Sequence, residues 1–536
     1  MLLILTQIAL YPPTMHDSLS YRLPRIFMAL QEGKITNLVT PDWRMNSMPW
    51  GWEMMAIPFA IINQINYVKI INLIAFLIIY QILFDFSYKG DTKESERRAR
   101  LTAIAFATAP VILIQASSTS NDLYTGALLL IGAYFIRKYE EQPSQLPVMA
   151  SLLALLLAAN AKPQFLVFVV AWLAWWLFSP STPWRAVSWK VLAIAFLPYL
   201  IVSPILLLVS NYLSHGALLG DSTGQLTGAK TTPIVMALAG TIQFLFTQFQ
   251  LPVFPASETF SNFLNSIPAM SWLNQQVPKF RPSVSFITLI DNASFGLVHF
   301  SLICVGLFLA FRKPSRREKI WIITVVMGFL ISASQVVPGS IGRSFMGFVC
   351  LLLPIACPAI AARCDSARMR LACLTCTLLG LVSMALNPAC PLWPSKTIEE
   401  ICKNHNISPI YAKLASYNNY RKRADTGLGM LDQIPNGDNV GVLVRQVTPI
   451  INLWTPDWKA HRISFIHLMK PEEVQAGDFE WLLIADNARE QFPDYYNSLI
   501  NMPGWKVIKQ KEYLPNIKQG PETWTLYHKI QSSPVP

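Results

Sequence analysis

Apolar runs of roughly the length of a membrane-crossing helix recur along this chain, divided by short polar loops. A spanning helix needs about 20 mostly apolar residues. Such runs occupy residues 66–86, 101–119, 122–138, 146–161, 163–180, 188–213, 294–312, 319–337, 343–363 and 368–388. The opening run, 1–11, reaches about half of that length, which predicts a true start further upstream. It has no basic leader and no small-residue cleavage site, so no cleavable signal peptide is expected. With the opening run counted, the pattern predicts an all-α multi-pass membrane protein of about eleven transmembrane helices.

Three regions break the pattern. Residues 16–33 place Leu19, Leu23, Ile26, Phe27 and Leu30 at helical spacing, which predicts an amphipathic helix ended by Gly33. A polar turn through Pro41-Asp42-Trp43-Arg44 follows, then Pro49-Trp50-Gly51-Trp52-Glu53 and the apolar stretch 54–62. That stretch is too short to cross and carries tryptophans suited to headgroup depth, so it reads as a surface helix. The run 231–250, inside the long loop 214–293, is also assigned to the surface, because one more span there would break the parity of the loops. Beyond about Pro394, short apolar runs at 440–444, 463–468, 481–485, 505–508 and 523–527 are separated by Asn-Gly, proline and charged stretches. These predict a small α/β domain. The expected division is a transmembrane domain over 1–394 and an α/β domain over 395–536.

Composition supports the membrane reading. Only 14% of the 536 residues are charged and 52% are hydrophobic, against about 25% charged in soluble domains. The net charge of +12 does not imply nucleic acid, because the basic residues are scattered between apolar runs rather than gathered on one face. They fall in alternate loops: Lys89 to Arg100, Arg137 and Lys138, Arg185 and Lys190, Arg312 to Lys319, and Arg363 to Arg370. By the positive-inside rule those loops are cytoplasmic and in contact with membrane lipids. The N-terminus is then inside, and residues 16–63, 214–293 and the C-terminal domain lie outside. Cys304, Cys350, Cys357, Cys373 and Cys376 sit in apolar runs and read as small buried hydrophobes. Cys390 and Cys402 follow the last span, where an oxidising compartment would let them pair.

That topology gathers the candidate chemistry at one depth. Asp17, Asp122, Lys162 and Arg343 come from separate outer hairpins or span ends, with Arg22, Arg25 and Glu53 in the surface helices. Ionisable groups at such positions are functional candidates because desolvating them costs several kcal/mol unless they are paired. Each also has a plainer reading. Asp17 and Asp122 are able to cap helices, Lys162 to snorkel, Arg343 to anchor the interface, and Arg22 and Arg25 to bind lipid phosphate. Gln243, Gln248 and Gln250 are open to two readings, a cover over a ligand or a packed surface helix.

Carboxylates ringed by cations at an outer membrane surface suit transfer of a sugar from a polyprenyl-phosphate carrier. The phosphate leaves without a general acid, the cations stabilise its charge, and a carboxylate takes the proton of the attacking hydroxyl. A lipid-linked glycan transporter or flippase is the rival, but it wants a polar path across the bilayer, and the mid-span positions are apolar. An oligosaccharide polymerase or ligase shares the chemistry. No cofactor or metal is expected, since no acidic pair at adjacent positions supports a divalent ion.

The residues His16-Asp17-Ser18-Leu19-Ser20-Tyr21-Arg22-Leu23-Pro24-Arg25 resemble the W-D-S-L-T-Y-H-L-P-R signature of bacterial multi-pass glycosyltransferases of the GT-C class, relatives of protein O-mannosyltransferases and lipid A aminoarabinose transferases. Gln115 to Asp122 is similar to that family's Q-A-S-S-T-Q-N-D hairpin, and Pro49 to Glu53 to its P-P-x-x-E segment. Lys162-Pro163 resembles its Lys-Pro or Lys-Gly hairpin, and Arg343, with Pro354 well downstream, loosely resembles its R-Y-x-x-P helix start. The resemblance spans about residues 10–390. It implies Asp17 and Asp122 as catalytic acidic positions. Lys162 and Arg343 match positions near a polyprenyl-phosphate donor, and Arg22, Arg25 and Glu53 are the remaining substrate-binding candidates. His16 in place of tryptophan and the short first run depart from the pattern.

Overall fold

The computed structural model describes residues 1–178 except 12, 14, 16, 36, 37 and 91; then 188, 204–216, 232–249, 257–277, 280, 294–334 except 313, 341–387, 392, 430–513 except 446, 447, 449, 455 and 456, and 522–530. His16, Gln250, Cys390, Cys402 and most of the expected span 188–213 lie outside the described residues.

After α1 (Leu2–Leu10), the expected amphipathic stretch forms a π-helical turn over Ser18–Arg22 that runs into α2 (Leu23–Glu32). Gly33 ends it at φ 64°, the left-handed conformation in which a glycine lacks the Cβ penalty. Next come α3 (Trp43–Ser47) and α4 (Gly51–Ile61), where the short surface helix was predicted. The bundle continues with α5 (Ile70–Ser87), α6 (Lys93–Ala107), α7 (Pro110–Ala116), α8 (Asn121–Glu141), α9 (Gln145–Ala161) and α10 (Leu166–Phe178). Beyond these lie α11 (Ile205–His215), α12 (Pro233–Thr247), α13 (Leu297–Phe311) and α14 (Arg316–Ala333). The last part of the bundle is α15 (Ile341–Ser344), α16 (Met346–Cys350), α17 (Leu353–Ala361) and α18 (Ala367–Ala385).

Among the described residues, Ile65–Ser87 and Ala367–Ala385 are long and apolar enough to cross a membrane, and α6 with α7 adds a third if that bent pair is one span. Of the other expected spans, α8 and α14 are long enough but carry several charged residues at one end, and the rest are shorter, broken or outside the described residues. The run 101–119 is broken by a 76° bend between α6 and α7. Pro110 is the cause, because a proline pushes the residue before it out of the helical region, and Ala109 sits at ψ 137°. Gly380 of α18 lets that helix approach the bend: a Cβ there would meet Thr108 O at 1.8 Å. The run 343–363 is divided into α15, α16 and α17, with Pro354 in the first turn of α17 and Pro358 inside it. Ile74, Phe308, Ile323, Leu371, Leu374 and Leu378 stay exposed, as large apolar side chains do when hydrocarbon rather than water surrounds them. Cys350, Cys357, Cys373 and Cys376 are buried as expected, but Cys304 is exposed.

The five late apolar runs form one sheet, β1 (Asn439–Leu443), β2 (Arg462–Phe465), β3 (Trp481–Ala485), β4 (Trp505–Tyr513) and β5 (Glu522–Lys529), in the order β2-β1-β3-β5-β4. β1 runs parallel to β2 and β3, and β5 is antiparallel to β3 and β4. Alternate side chains serve two faces. Leu482 and Ile484 pack under the short helices 471–476 and 493–500, while Trp481, Leu483 and Ala485 join the main core.

That second face settles on α2. Trp454 stacks on Phe27 at 6.2 Å between centroids and donates its indole N–H to Gln31 Oε1 at 3.1 Å. Gln31 Nε2 donates to His461 O at 2.6 Å. Ile450 N–H donates to Leu19 O at 2.9 Å, a carbonyl inside the π-helical turn. The sheet thus holds the segment that carries Asp17 to Arg25.

Candidate active site

The site begins at the π-helical turn. The wide turn closes with Leu23 N–H donating to Ser18 O, five residues back, and leaves Asp17 at its mouth without a capping hydrogen bond. The capping reading of Asp17 is therefore not the one the structure adopts. Its carboxylate lies between two guanidiniums instead, Arg44 Nη1 at 3.2 Å and Arg343 Nη2 at 2.8 Å. Arg44 is itself placed by Asp42, which caps α3 by accepting Arg44 N–H at 3.0 Å and takes the guanidinium Nη2 at 2.6 Å. The Arg44 guanidinium also lies over the Tyr21 ring, 4.1 Å from its centroid.

Asp122 belongs to the same cluster. The helix cap at α8 is Ser120, whose hydroxyl accepts Asp122 N–H at 3.3 Å. The Asp122 carboxylate accepts the Ser120 hydroxyl at Oδ2, is paired with Lys162 and is approached by Arg343 Nη1 at 4.0 Å. Asn72 Nδ2 donates to three carbonyls of this hairpin, of Gln115, Ser118 and Ser120, the last at 2.6 Å. One buried amide so braces the hairpin through its backbone carbonyls. Ser18 and Thr119 share a 2.5 Å hydroxyl contact that ties the turn to the hairpin.

Behind these groups lies a second charged layer. Arg22 Nη2 donates to Asn121 Oδ1 at 2.9 Å, and its Nη1 is 3.5 Å from Glu53. Arg25 Nη1 and Nη2 donate to the carbonyls of Pro49 and Met48, and its guanidinium lies 4.0 Å over the Trp50 ring. Glu53 is 4.0 Å from Arg25. Side-chain exposure falls from 19% for Asp17, 16% for Arg44, 14% for Lys162 and 11% for Arg343 to 8% for Arg22, 3% for both Asp122 and Glu53, and 0% for Arg25. Arg25 and Glu53, expected as substrate-binding residues, are the deepest of the cationic and second-layer groups. Both are enclosed by α2, α4 and the loop before α4, with their hydrogen-bonding capacity turned toward the protein.

Electrostatics follow this division. Burial opposes the charge of Asp17, but Arg343, Arg22 and Arg44 outweigh it and hold the carboxyl well below its ordinary range. Burial pulls Arg25 down to about 10, opposed by Glu53. Burial likewise lowers the Lys162 ammonium, with the Asp122 carboxylate opposing it.

All seven candidates thus form one connected network, Asp17–Arg343–Asp122–Lys162 and Arg22–Glu53–Arg25, with Asn121 joining the two halves and the Asp17–Arg44–Asp42 chain extending it. Within it Arg343 is the hinge that meets both Asp17 and Asp122. Sequence reasoning missed Arg44, Asp42 and Tyr21. An Asp after a proline just ahead of a short helix signals a cap, and this was the one available pointer to Asp42 and, through it, Arg44.

Gly51 explains how α4 reaches the hairpin before Lys162. A Cβ there would meet Ala161 N at 2.4 Å and Asn160 C at 2.6 Å. Gly51→Ala is expected to lower unfolding free energy by about 1–3 kcal/mol, read as a shift in the unfolding midpoint of the detergent-solubilised protein. An unchanged midpoint would show that the two backbones separate freely.

No family model matches the chain, and no curated protein matches it. Among solved structures, the chain is similar to ArnT from Cupriavidus metallidurans bound to undecaprenyl phosphate, at 12% identity and a TM-score of 0.47, over 98% of this chain and 96% of that one. It is also similar to the same protein in the apo state, at 10% identity and a TM-score of 0.40, with the same coverage.

Proposed function

We propose that this chain is an integral membrane glycosyltransferase that moves a sugar from a polyprenyl-phosphate-linked donor to an acceptor hydroxyl on a lipid, glycan or protein. The observation that carries the reading is the partly exposed mouth of the network. Asp17 stands between Arg44 and Arg343, and Arg343 also faces an Asp122–Lys162 pair. In this reading residues 1–394 form the transmembrane transferase domain and 395–536 an α/β domain, both the site and that domain facing the periplasm of the inner membrane, with the N-terminus cytoplasmic.

The chemistry runs as follows. Lys162, Arg343 and Arg44 receive the donor phosphate, and planar guanidiniums suit it because they donate two parallel hydrogen bonds. The acceptor oxygen attacks the anomeric carbon from the face opposite the phosphate, the C1–O bond to phosphate breaks, and the configuration inverts. The bond pair leaves with the polyprenyl phosphate, whose charge the three cations stabilise. Asp17 takes the acceptor proton. In the empty site the arginines make it a weak base. A bound phosphate competes for those guanidiniums, and the basicity of Asp17 rises as they turn away. Asp122 holds Lys162 in place and balances the charge of the cluster when the donor is absent. Arg22, Arg25 and Glu53 support the turn from behind.

The test is transfer of radiolabel from polyprenyl-phosphate sugars in membranes holding the protein, with Lys162→Met alongside the wild type. Label is expected in an acceptor fraction, with Lys162→Met raising the donor KM by about tenfold or more for one lost charge-assisted contact. Absence of transfer for every donor, together with absence of polyprenyl phosphate binding to the purified protein, would reject the reading.

A further inference from the structure

A cavity of about 550 Å³ lies away from the network described above, where the end of α13 meets the start of α18. Val305, Leu309 and Met369 line its apolar side, and Arg312, Arg363, Asp365 and Ser366 its polar side. Its volume is that of a small-molecule site. Among the described residues, its two arginines differ from several basic residues of the neighbouring loops in having no carboxylate partner. In the same set of basic loops, Arg98, Arg100, Arg137 and Arg317 are paired with Glu94, Glu96, Glu141 and Glu140. Among the described residues, Arg312 and Arg363 make no ion pair, and Arg312 only lies over the Phe308 ring at 5.4 Å. Asp365 is the one carboxylate of the lining, and its Oδ1 is taken by Ser366 N–H at 2.9 Å. Two unpaired guanidiniums against one such carboxylate leave a positive rim.

The apolar side of the cavity says what kind of anion fits. It continues into surface that is exposed and apolar, with Val305 and Phe308 on α13 and Leu371 and Leu374 on α18. A soluble anion has no use for that surface, whereas a diacyl lipid buries its chains along it and keeps its phosphate at the rim. We propose that this cavity binds an anionic glycerophospholipid, with its phosphate between Arg312 and Arg363 and its acyl chains running over Val305 and Phe308. The site stands on its own residues and does not depend on the transferase reading.

Native mass spectrometry of the detergent-solubilised protein tests it, titrating phosphatidylglycerol and, separately, phosphatidylcholine. The expected result is retention of one phosphatidylglycerol in clear preference to phosphatidylcholine. Removing both charges in Arg312→Gln/Arg363→Gln is expected to weaken phosphatidylglycerol roughly thirtyfold, from the usual contribution of two basic side chains near an anionic lipid. A control with equal loss of charge outside the cavity, Arg97→Gln/Arg317→Gln, should keep wild-type affinity. Val305→Trp fills the apolar side while leaving both arginines, and should also weaken the lipid; it decides the matter if the double variant does not fold. Equal binding of the two lipids, equal weakening in the control, or displacement of the lipid by inorganic phosphate at millimolar concentration would each overturn the proposal.

Discussion

Asp17→Asn is expected to lower sugar transfer by about a hundredfold to ten-thousandfold, the usual worth of a positioned general base. The amide keeps the shape of the carboxylate but cannot accept the proton of the attacking hydroxyl. Donor binding should survive, because Arg44 keeps Asp42 as partner at 2.6 Å and Arg343 keeps Asp122 at 4.0 Å. The expected signature is therefore a fall in kcat with the donor KM held or reduced, since one carboxylate no longer competes with the phosphate for the guanidiniums. The same variant reports on stability against pH. Asp17 titrates below its ordinary 3.8 in the folded chain, so its ion pairs stabilise the protein above that value and fade as pH falls through the folded-state value. Wild type and Asp17→Asn should differ in unfolding midpoint at neutral pH and converge as the solution is acidified below about pH 4. Full transfer activity in a well-expressed Asp17→Asn protein would remove Asp17 as the base.

The second large effect is structural. Glu53 is the carboxylate nearest to both Arg22 and Arg25, at 3.5 and 4.0 Å, and all three side chains are buried. Glu53→Gln leaves two desolvated guanidiniums without it, and breaking a buried pair from one side costs about 3–5 kcal/mol. The measured quantity is unfolding free energy in a detergent-to-denaturant titration. Replacing both partners, Glu53→Gln with Arg25→Met, should recover part of the loss, because the uncompensated charge is removed along with its partner. Strict additivity of the two single losses would show that Glu53 and Arg25 do not interact across their 4.0 Å.

How much of this was legible in the sequence differs by element. The predicted strand 481–485 is β3, and the end of the amphipathic helix at Gly33 is where it was expected, because strand alternation and a left-handed glycine are local features. β4 runs on to Tyr513, past the predicted 505–508. Its second half, Lys509 to Glu512, is polar because it is the edge strand of the sheet, where charged residues guard an exposed row of backbone groups. The runs 101–119 and 343–363 looked continuous because hydropathy does not register a bend. Pro110, Pro354 and Pro358 were visible, but how they break a helix depends on what packs against the freed carbonyls. For Asp122, sequence offered both a cap and a site. The neighbouring Ser120 took the cap, and nothing local distinguishes two oxygen-bearing side chains two residues apart.

By itself, the sequence determined the apolar helices, the amphipathic stretch that carries Asp17, the sheet-forming tail and the concentration of charge at a few polar positions. Periodicity, glycine and proline placement and loop charge all act over a handful of residues. Only the tertiary structure decided which charges meet. Asp17 pairs with Arg44 and Arg343, 27 and 326 residues away, and an ion pair depends on distance in space, for which spacing along the chain is no guide. The same folding enclosed Arg25 and Glu53 while leaving Asp17, Lys162 and Arg343 partly open. The separation of a supporting layer from a reactive mouth is thus a consequence of how α2, α4 and the α8–α9 hairpin pack together.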